Sequence, residues 1–371
     1  MKAISVLFLS VMLLITSGIW GQQATQEPLH IRAGTRNLLL THPTVNNLKV
    51  MVHLFEQDMI ELQDYRLVGV YHRRERYEYK RSKAFIDTLD YDGPKIFLRE
   101  IGDSISADRL YRNNPLTDDF RILFRQSEGA VFFGGPDMPP QVYGAKTHLL
   151  TSVYDPYRHY FELSFLHHLL GGAQQSGYEG LMAQDPDYVI YGFCLGMQTM
   201  NVAAGGTLIQ DIPWRVYGLR HVEDILELDR DRLHRNYHRR ISMEDDLLSG
   251  HFHRVRFTEA SLVERWHMDD DFHPLVYSNH HQAVGEVGKG YRVMATSMDG
   301  KIIEALRHED YKHVIGVQFH PEASFLYDST LTYRTSPGDK ESFSGDEILE
   351  KARSMDFHRR FWQDFDRRLS R

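Results

Sequence analysis

Residues 191–198 read Tyr191-Gly192-Phe193-Cys194-Leu195-Gly196-Met197-Gln198 and contain the only cysteine of the chain. The stretch lies between an apolar run typical of a strand and an apolar run typical of a helix. Glycine two positions before and two positions after Cys194 suits a sharp strand-to-helix turn, because glycine has no Cβ to clash where the chain is crowded. The pattern predicts an exposed thiol at a strand end, beside a helix N-terminus whose partial positive charge favours the thiolate.

A second stretch, residues 314–322, is an apolar run that ends in His320, Pro321 and Glu322. In extended chain, residues two positions apart point to the same side, so Glu322 can hold one ring nitrogen of His320 and leave the other free to act as a base. A cysteine nucleophile needs such a base, and it needs a third group that fixes the tautomer of the base. Cys194, His320 and Glu322 are therefore the predicted catalytic residues.

Strand-like and helix-like segments alternate along the chain. Short apolar runs at 37–41, 66–71, 95–98 and 130–133 are typical of strands, and residues 45–65 carry apolar side chains near helical spacing. This alternation predicts an α/β fold with a doubly wound, mostly parallel sheet flanked by helices. Ligands of such folds bind outside the carboxyl ends of the strands, where the Cys194 turn falls.

The rest of the chain completes one predicted domain over residues 30–335. We expect a helix with an apolar face at 155–170, a polar surface insertion near 171–187 and a hairpin around Asp299-Gly300. Residues 336–371 form a C-terminal tail that is amphipathic and charged from residue 345 onward, and we expect this part to be helical and packed on the outside.

Five motifs resemble the class I glutamine amidotransferase superfamily, and most closely its stand-alone γ-glutamyl hydrolase branch, which includes bacterial γ-glutamyl-γ-aminobutyrate hydrolase. They follow the order of that family: FGGPDMPP at 133–140, DPYRHYFEL at 155–163, the Cys194 turn with its helix at 191–208, SNHHQAV at 278–284 and FHPE at 319–322. The resemblance implies a class I glutamine amidotransferase-like fold with insertions. It also implies a hydrolase that cleaves a γ-glutamyl amide or a related small amide through a Cys194 thioester, with no cofactor.

Four further residues are predicted to shape the site. Acyl transfer needs two donors where negative charge develops on oxygen, and the backbone N–H groups of Gly135 and Leu195 are the candidates. Gln198 lies one helical turn after Cys194, so its amide could touch a bound γ-glutamyl group, and the resemblance implies that His281 lines the substrate site. The alternatives are a simple tight turn at Gly135, an exposed polar residue at Gln198 and a packed histidine at position 281.

The sequence is also compatible with two other functions. One is a non-catalytic ligand-binding member of the same fold, and the other is a cysteine peptidase that accepts larger substrates at a widened cleft. A phosphate-binding Gly-x-x-x-x-Gly-Lys-Ser/Thr loop is absent from the sequence, so nothing points to a fused synthetase domain.

Composition narrows the class of partner. The formal net charge of −8 gives no general attraction to nucleic acid or to an anionic membrane, so a small-molecule substrate is expected. A single cysteine excludes an internal disulfide and a zinc site built on several cysteines. The sequence does not set the oligomeric state and leaves a homodimer open.

Residues 1–21 have the pattern of a secretory signal peptide. Lys2 supplies the positive region, residues 6–15 are apolar, and small residues such as Gly21 precede a plausible cleavage point before Gln22. We therefore expect a secreted or periplasmic protein without stable membrane insertion after cleavage. An uncleaved membrane anchor is the alternative, although the segment is shorter than the roughly twenty apolar residues that span a bilayer.

The segment 220–271 departs most from the compact pattern of the family. It is rich in charged residues and histidines, and imidazole suits zinc or copper, but no pair of its histidines forms a diagnostic ligand motif. We expect a solvated insertion that covers the mouth of the cleft and influences substrate choice, with no metal site. The histidines considered are His221, His234, His238, His251, His253, His267 and, just beyond the segment, His273.

Overall fold

The computed structural model describes residues 36–62, 64–258 and 271–370. The strands are β1 (Arg36–Thr41), β2 (Tyr65–His72), β3 (Lys95–Ile101), β4 (Gly129–Phe132), β5 (Val189–Phe193), β6 (Leu208–Ile209), β7 (His251–Phe257), β8 (Leu275–Ser278), β9 (Ala283–Val284), β10 (Tyr291–Ser297), β11 (Ile303–His308), β12 (Val314–Val317), β13 (Thr332–Tyr333) and β14 (Phe343–Ser344). The α-helices are α1 (Val45–Glu56), α2 (Tyr79–Asp87), α3 (Thr117–Arg125), α4 (Pro156–Leu170), α5 (Leu195–Ala203), α6 (Ile212–Tyr217), α7 (Val222–Leu226), α8 (Gly345–Lys351) and α9 (Met355–Leu369).

The main sheet has the strand order β3-β2-β1-β4-β5-β12-β11-β10-β7-β8. Neighbouring strands from β3 to β12 are parallel, and those from β12 to β8 are antiparallel. The predicted α/β fold with a mostly parallel sheet flanked by helices is confirmed. All residues of β4, β5 and β12 are buried, as expected of parallel strands that are covered on both faces.

Local sequence signals explain where several elements begin and end. Asp155 caps α4 by accepting a hydrogen bond from the Tyr157 N–H, Pro156 occupies the first turn, and Gly171 follows the last residue. The predicted hairpin is present, since β10 and β11 pair antiparallel across Asp299 and Gly300. The helix expected over 45–65 is shorter, because α1 ends at Glu56 and the chain then turns through the positive φ of Asp58 before β2.

The tail contains two helices, and the second contributes to the main hydrophobic core. Phe361, Trp362 and Phe365 of α9 are fully buried. The ring of Trp362 lies 5.8 Å from that of Phe193, and the ring of Phe365 lies 4.8 Å from that of Tyr191. Helix α9 therefore covers β5, the strand that leads to Cys194.

The segment 220–271 differs from the solvated insertion that its composition predicts. Strand β7 lies within this segment and pairs with β8 and β10 in the main sheet. His234 and His253 are buried, at 2% and 0% exposure. The prediction was wrong because it assumed that the polar residues of this segment lie in solvent. His253 of strand β7 and His234 of the preceding loop are instead buried.

Two expectations concern parts of the chain that lie outside the described residues. These are the signal peptide at 1–21 and the histidine at position 267. Within the described ranges, the helices are all too short or too polar to cross a membrane.

Candidate active site

Cys194 occupies a strained turn between β5 and α5. Its backbone has φ 50° and ψ −104°, a conformation that residues other than glycine rarely adopt. A Cβ at Gly196 would lie 2.0 Å from the carbonyl oxygen of Phe132, and one at Gly192 would lie 2.4 Å from the sulfur of Met200, so both flanking positions need glycine. Cys194 is only 5% exposed, in contrast to the exposed thiol expected from the sequence.

His320 and Glu322 lie beside this turn because β12 is the parallel neighbour of β5. Val317 is in register with Phe193, so the two chains leave the sheet at the same edge. Nδ1 of His320 lies 2.7 Å from Oε1 of Glu322 and donates a hydrogen bond to it. The structure thus brings Cys194, His320 and Glu322 together, although Cys194 is far from the other two in the sequence.

The charge environment keeps the His320 ring protonated. Burial alone would lower the pKa of His320, but the Glu322 carboxylate and the hydrogen-bonded sulfur of Cys194 outweigh burial and raise this pKa well above its usual value. A protonated imidazole beside sulfur stabilises the thiolate, which is the nucleophilic form of cysteine. The arrangement therefore suits attack by Cys194 followed by proton donation from His320.

The loop after β4 passes directly in front of the nucleophile and the histidine. A Cβ at Gly134 would lie 2.7 Å from Cε1 of His320 and 3.5 Å from Cβ of Cys194. Gly135 is exposed, and a Cβ placed on it would lie 3.2 Å from the Leu195 side chain. The Leu195 N–H belongs to the first turn of α5, where backbone N–H groups have no acceptor within the helix. Gly135 and Leu195 are thus in contact, and the role of their N–H groups as oxyanion donors stays a prediction.

A buried ion pair in helix α4 contacts this loop through hydrogen bonds to its backbone. Arg158 and Glu162 are 2% and 0% exposed, and Nε of Arg158 donates to Oε1 of Glu162 at 3.1 Å. Nη2 of Arg158 also donates to the carbonyl oxygens of Phe133 and Gly134, at 2.7 and 3.1 Å. No local sequence pattern assigns these two residues a role in the site. The signal that could have found them is an Arg and a Glu four positions apart on the apolar side of α4.

Gln198 points into the protein and belongs to a small amide network. It is 4% exposed. Its Nε2 donates to the carbonyl oxygen of Gln282 at 3.3 Å and to Oε1 of Gln318 at 3.2 Å. This network connects helix α5 to the segments on either side of the site, and direct contact between Gln198 and substrate stays a prediction.

His281 lies between two carboxylates. Its Nε2 is 3.1 Å from Oδ1 of Asp137, and its Nδ1 is 3.2 Å from Oδ2 of Asp211. Burial opposes protonation, but these two hydrogen-bonded carboxylates raise the pKa of His281 above its usual value. The ring links the loop that carries Gly135 to the start of α6, and substrate contact by His281 stays a prediction.

Comparison with known proteins agrees with these motifs. Residues 113–322 match the sequence model of the family described as Peptidase C26. A glutamine amidotransferase-like protein from Lactococcus lactis is 29% identical over 227 residues, which cover 61% of this chain and 76% of that protein. A protein from Mycobacterium tuberculosis, named as a glutamine amidotransferase, is 34% identical over 197 residues, which cover 52% of this chain and 50% of that protein.

Among solved structures, a protein from Thermoplasma acidophilum that is described as part of a GMP synthase aligns with 91% of this chain and 98% of its own. The TM-score is 0.37 and the sequence identity is 10%.

Proposed function

Because the chain belongs to the Peptidase C26 family, we propose that it is a cysteine-dependent hydrolase of γ-glutamyl amides or related small amides. One observation carries the proposal: the strained turn at Cys194 lies beside a His320 ring that Glu322 holds at 2.7 Å. Glutamine, which appears in the names of both relatives above, is itself a γ-glutamyl amide. The γ-glutamyl hydrolase branch is the part of the superfamily that the motifs resemble most.

The proposed reaction has two stages. In the first, the Cys194 thiolate attacks the amide carbonyl carbon, and the N–H groups of Gly135 and Leu195 stabilise the oxyanion. The carbon–nitrogen bond then breaks, and protonated His320 gives its proton to the leaving amine. In the second stage, neutral His320 takes a proton from water, the hydroxide attacks the thioester, and the carboxylic acid and the Cys194 thiolate are released with His320 protonated again.

Glu322 acts through His320 in this scheme. Its carboxylate accepts a hydrogen bond from the Nδ1–H group, so the other ring nitrogen is directed towards the sulfur. The negative charge also stabilises the imidazolium that is present before attack and after deacylation. Arg158 holds the loop after β4 (residues 133–135, the oxyanion loop) in place through its hydrogen bonds to the Phe133 and Gly134 carbonyls, and it takes no part in proton transfer.

A panel of chromogenic amides tests this function. The full chain should hydrolyse a γ-glutamyl p-nitroanilide and leave the α-glutamyl isomer intact, because the γ-linkage places the free amino and carboxyl groups away from the scissile bond. Quenching during turnover should give a glutamyl adduct on the Cys194 peptide. Cys194→Ser removes the thiol but keeps the shape of the side chain. This variant should form product far more slowly than wild type and should give no thioester adduct.

The alternatives from the sequence predict different outcomes in the same panel. Binding of γ-glutamyl amides without turnover would identify a non-catalytic binding protein. Cleavage of peptides in preference to small γ-glutamyl amides would identify a peptidase with larger substrates. The first outcome would contradict the proposed hydrolysis, and the second would contradict the proposed substrate class.

The proposal includes export to the periplasm or the cell exterior, which rests on the signal-like sequence of residues 1–21. N-terminal sequencing of the native protein should find a mature chain that begins near Gln22. A cytosolic protein that retains residue Met1 would contradict this part of the proposal.

A further inference from the structure

Four buried side chains converge at one place among the described residues. They are His234 from the loop between α7 and β7, His253 from β7, His280 from the loop after β8, and Glu304 from β11. Each offers one nitrogen or oxygen atom, and these four atoms all lie within 4.8 Å of one another. The His234 ring is 4.6 Å from that of His253 and 4.9 Å from that of His280, centroid to centroid. None of the four residues is more than 4% exposed.

The cluster contains polar atoms that the described residues do not satisfy. Both ring nitrogens of His234, Nε2 of His280 and both carboxylate oxygens of Glu304 are buried without a hydrogen-bond partner in the described part of the chain. His234 Nδ1 and Glu304 Oε1 are 3.2 Å apart, but their orientation does not make a hydrogen bond. Buried polar atoms are paired almost everywhere in native proteins, so five such atoms at one place indicate a missing partner.

The two remaining histidines are oriented by hydrogen bonds at their outer nitrogens. Nδ1 of His280 lies 2.8 Å from the carbonyl oxygen of Gln282 and donates to it, which leaves the lone pair of Nε2 facing the cluster. Nδ1 of His253 lies 3.3 Å from the carbonyl oxygen of Arg254, and its Nε2 lies 2.9 Å from Oγ of Ser278. A carbonyl that fixes the tautomer of an imidazole is the usual second contact of a metal-binding histidine.

We propose that His234, His253, His280 and Glu304 bind one Zn²⁺ ion. Three imidazoles and one carboxylate form a tetrahedral ligand set that suits zinc. Zinc–ligand bonds of about 2.1 Å place tetrahedral ligand atoms about 3.4 Å apart, so the observed spread of up to 4.8 Å closes by small side-chain rotations. The ion would replace the contact between His253 and the Ser278 hydroxyl.

The site is structural in character. Four protein ligands leave no open position for water or substrate, which is the pattern of structural zinc rather than catalytic zinc. The inference departs from the sequence prediction of no metal, because the four ligands are spread over residues 234–304 and form no local motif.

The ion would hold the segment 220–258 on the sheet next to the active site. The Gln282 carbonyl accepts hydrogen bonds both from Nδ1 of His280 and from Nε2 of Gln198 in α5. The backbone carbonyl of Glu304 accepts from the N–H of Gln318, two residues before His320. The metal site therefore shares hydrogen-bonding partners with the segments that carry the nucleophile and the base.

Metal analysis of the full chain tests the proposal without relying on activity. We expect about one zinc per purified chain. The stripped protein, titrated with Zn²⁺ alone against a chromophoric chelator, should bind with Kd below about 1 μM and show a higher Tm. Co²⁺ in place of zinc should give the visible absorption bands of a tetrahedral site.

Variants locate the ion. Glu304→Gln and His234→Ala should each weaken Zn²⁺ binding by at least about tenfold. His221→Ala, which removes an exposed histidine of the same segment, should bind zinc like the wild type. Two results would overturn the proposal and identify the cluster as a metal-free polar network. One is a wild-type chain that carries no zinc and binds added Zn²⁺ with a Kd above about 100 μM. The other is equal Zn²⁺ binding by wild type, Glu304→Gln and His234→Ala. The wild-type titration decides the question even where a variant fails to fold.

Discussion

The backbone N–H of Cys194 donates a hydrogen bond to the carbonyl oxygen of Val317 at 2.8 Å. This bond joins the turn that carries the nucleophile to the strand that leads to the histidine. The sheet therefore fixes the distance between Cys194 and His320 through backbone pairing, and side-chain contacts only complete the arrangement. Rigid strands hold catalytic groups more accurately than flexible loops do.

Replacing Glu322 by Gln should impair hydrolysis without abolishing it. The neutral amide removes the charge that raises the pKa of His320, so that pKa falls and the alkaline limb of the pH–rate profile moves to lower pH. We expect kcat to fall by a factor on the order of 10⁴, less than the loss expected for removing the nucleophile. Steady-state kinetics across pH provide the measurement. Glu341→Gln, at an exposed position, is the control, and an unchanged pH profile in Glu322→Gln would contradict the role of Glu322.

Gly134→Ala should reduce turnover while the protein stays folded. The new methyl group would lie 2.7 Å from Cε1 of His320, so the ring must move. Because a displacement of about 1 Å at a reacting group costs about 100-fold in rate, we expect a fall of about 10- to 100-fold in kcat.

The matched control is Gly338→Ala, where the nearest atom to the new Cβ is 3.9 Å away. Kinetics and thermal melts of both variants separate a local effect from a loss of stability. An unchanged kcat in Gly134→Ala would contradict this prediction, because it would mean that the loop moves without displacing His320.

Arg158→Ala should destabilise the fold strongly. It leaves Glu162 as an unpaired buried charge and removes two hydrogen bonds to the oxyanion loop. Breaking a buried pair from one side costs about 3–5 kcal/mol of unfolding free energy. Urea denaturation gives the value, and Arg121→Ala, whose partner Asp118 is largely exposed, should change stability little. Equal effects of the two substitutions would contradict the supporting role of Arg158.

His281→Gln should reduce stability in a pH-dependent way. Asp137 and Asp211 raise the pKa of His281 in the folded state. Its stabilising contribution is therefore fully present below the unfolded pKa of about 6.5 and is lost as pH rises through the folded pKa. We expect a loss on the order of 2 kcal/mol near pH 5.5 and a smaller loss near pH 9.5. Denaturation of both proteins at the two pH values tests this, and a loss that does not vary with pH would refute the charged state of His281.

Much of the arrangement was predictable from short-range patterns. The glycines around Cys194 indicate a crowded turn, and the two-residue spacing of His320 and Glu322 suits an extended chain. Each of these local geometries follows from a few neighbouring residues. Alternating strand and helix patterns then place both segments at the carboxyl edge of one sheet. The strand order, which makes β12 the neighbour of β5, is a tertiary feature that no local pattern contains.

In the segment 220–271, local sequence patterns do not predict which side chains are buried. Strand β7 begins with His251 and His253, and polar residues of this kind are not typical of a buried strand. The His253 ring lies against residues far along the chain: its Nε2 is 2.9 Å from Oγ of Ser278 and 4.0 Å from Oε1 of Glu304. A sequence pattern has a range of a few residues, so it could not indicate that these side chains meet inside the protein.

The rate of γ-glutamyl amide hydrolysis by Cys194→Ala, relative to wild type, tests the central claim most directly. The chain contains no other thiol that could replace the nucleophile. We expect a loss on the order of 10⁶ in kcat, with an unchanged circular dichroism spectrum and thermal melt. Hydrolysis by Cys194→Ala at a rate within about tenfold of wild type would contradict the cysteine mechanism.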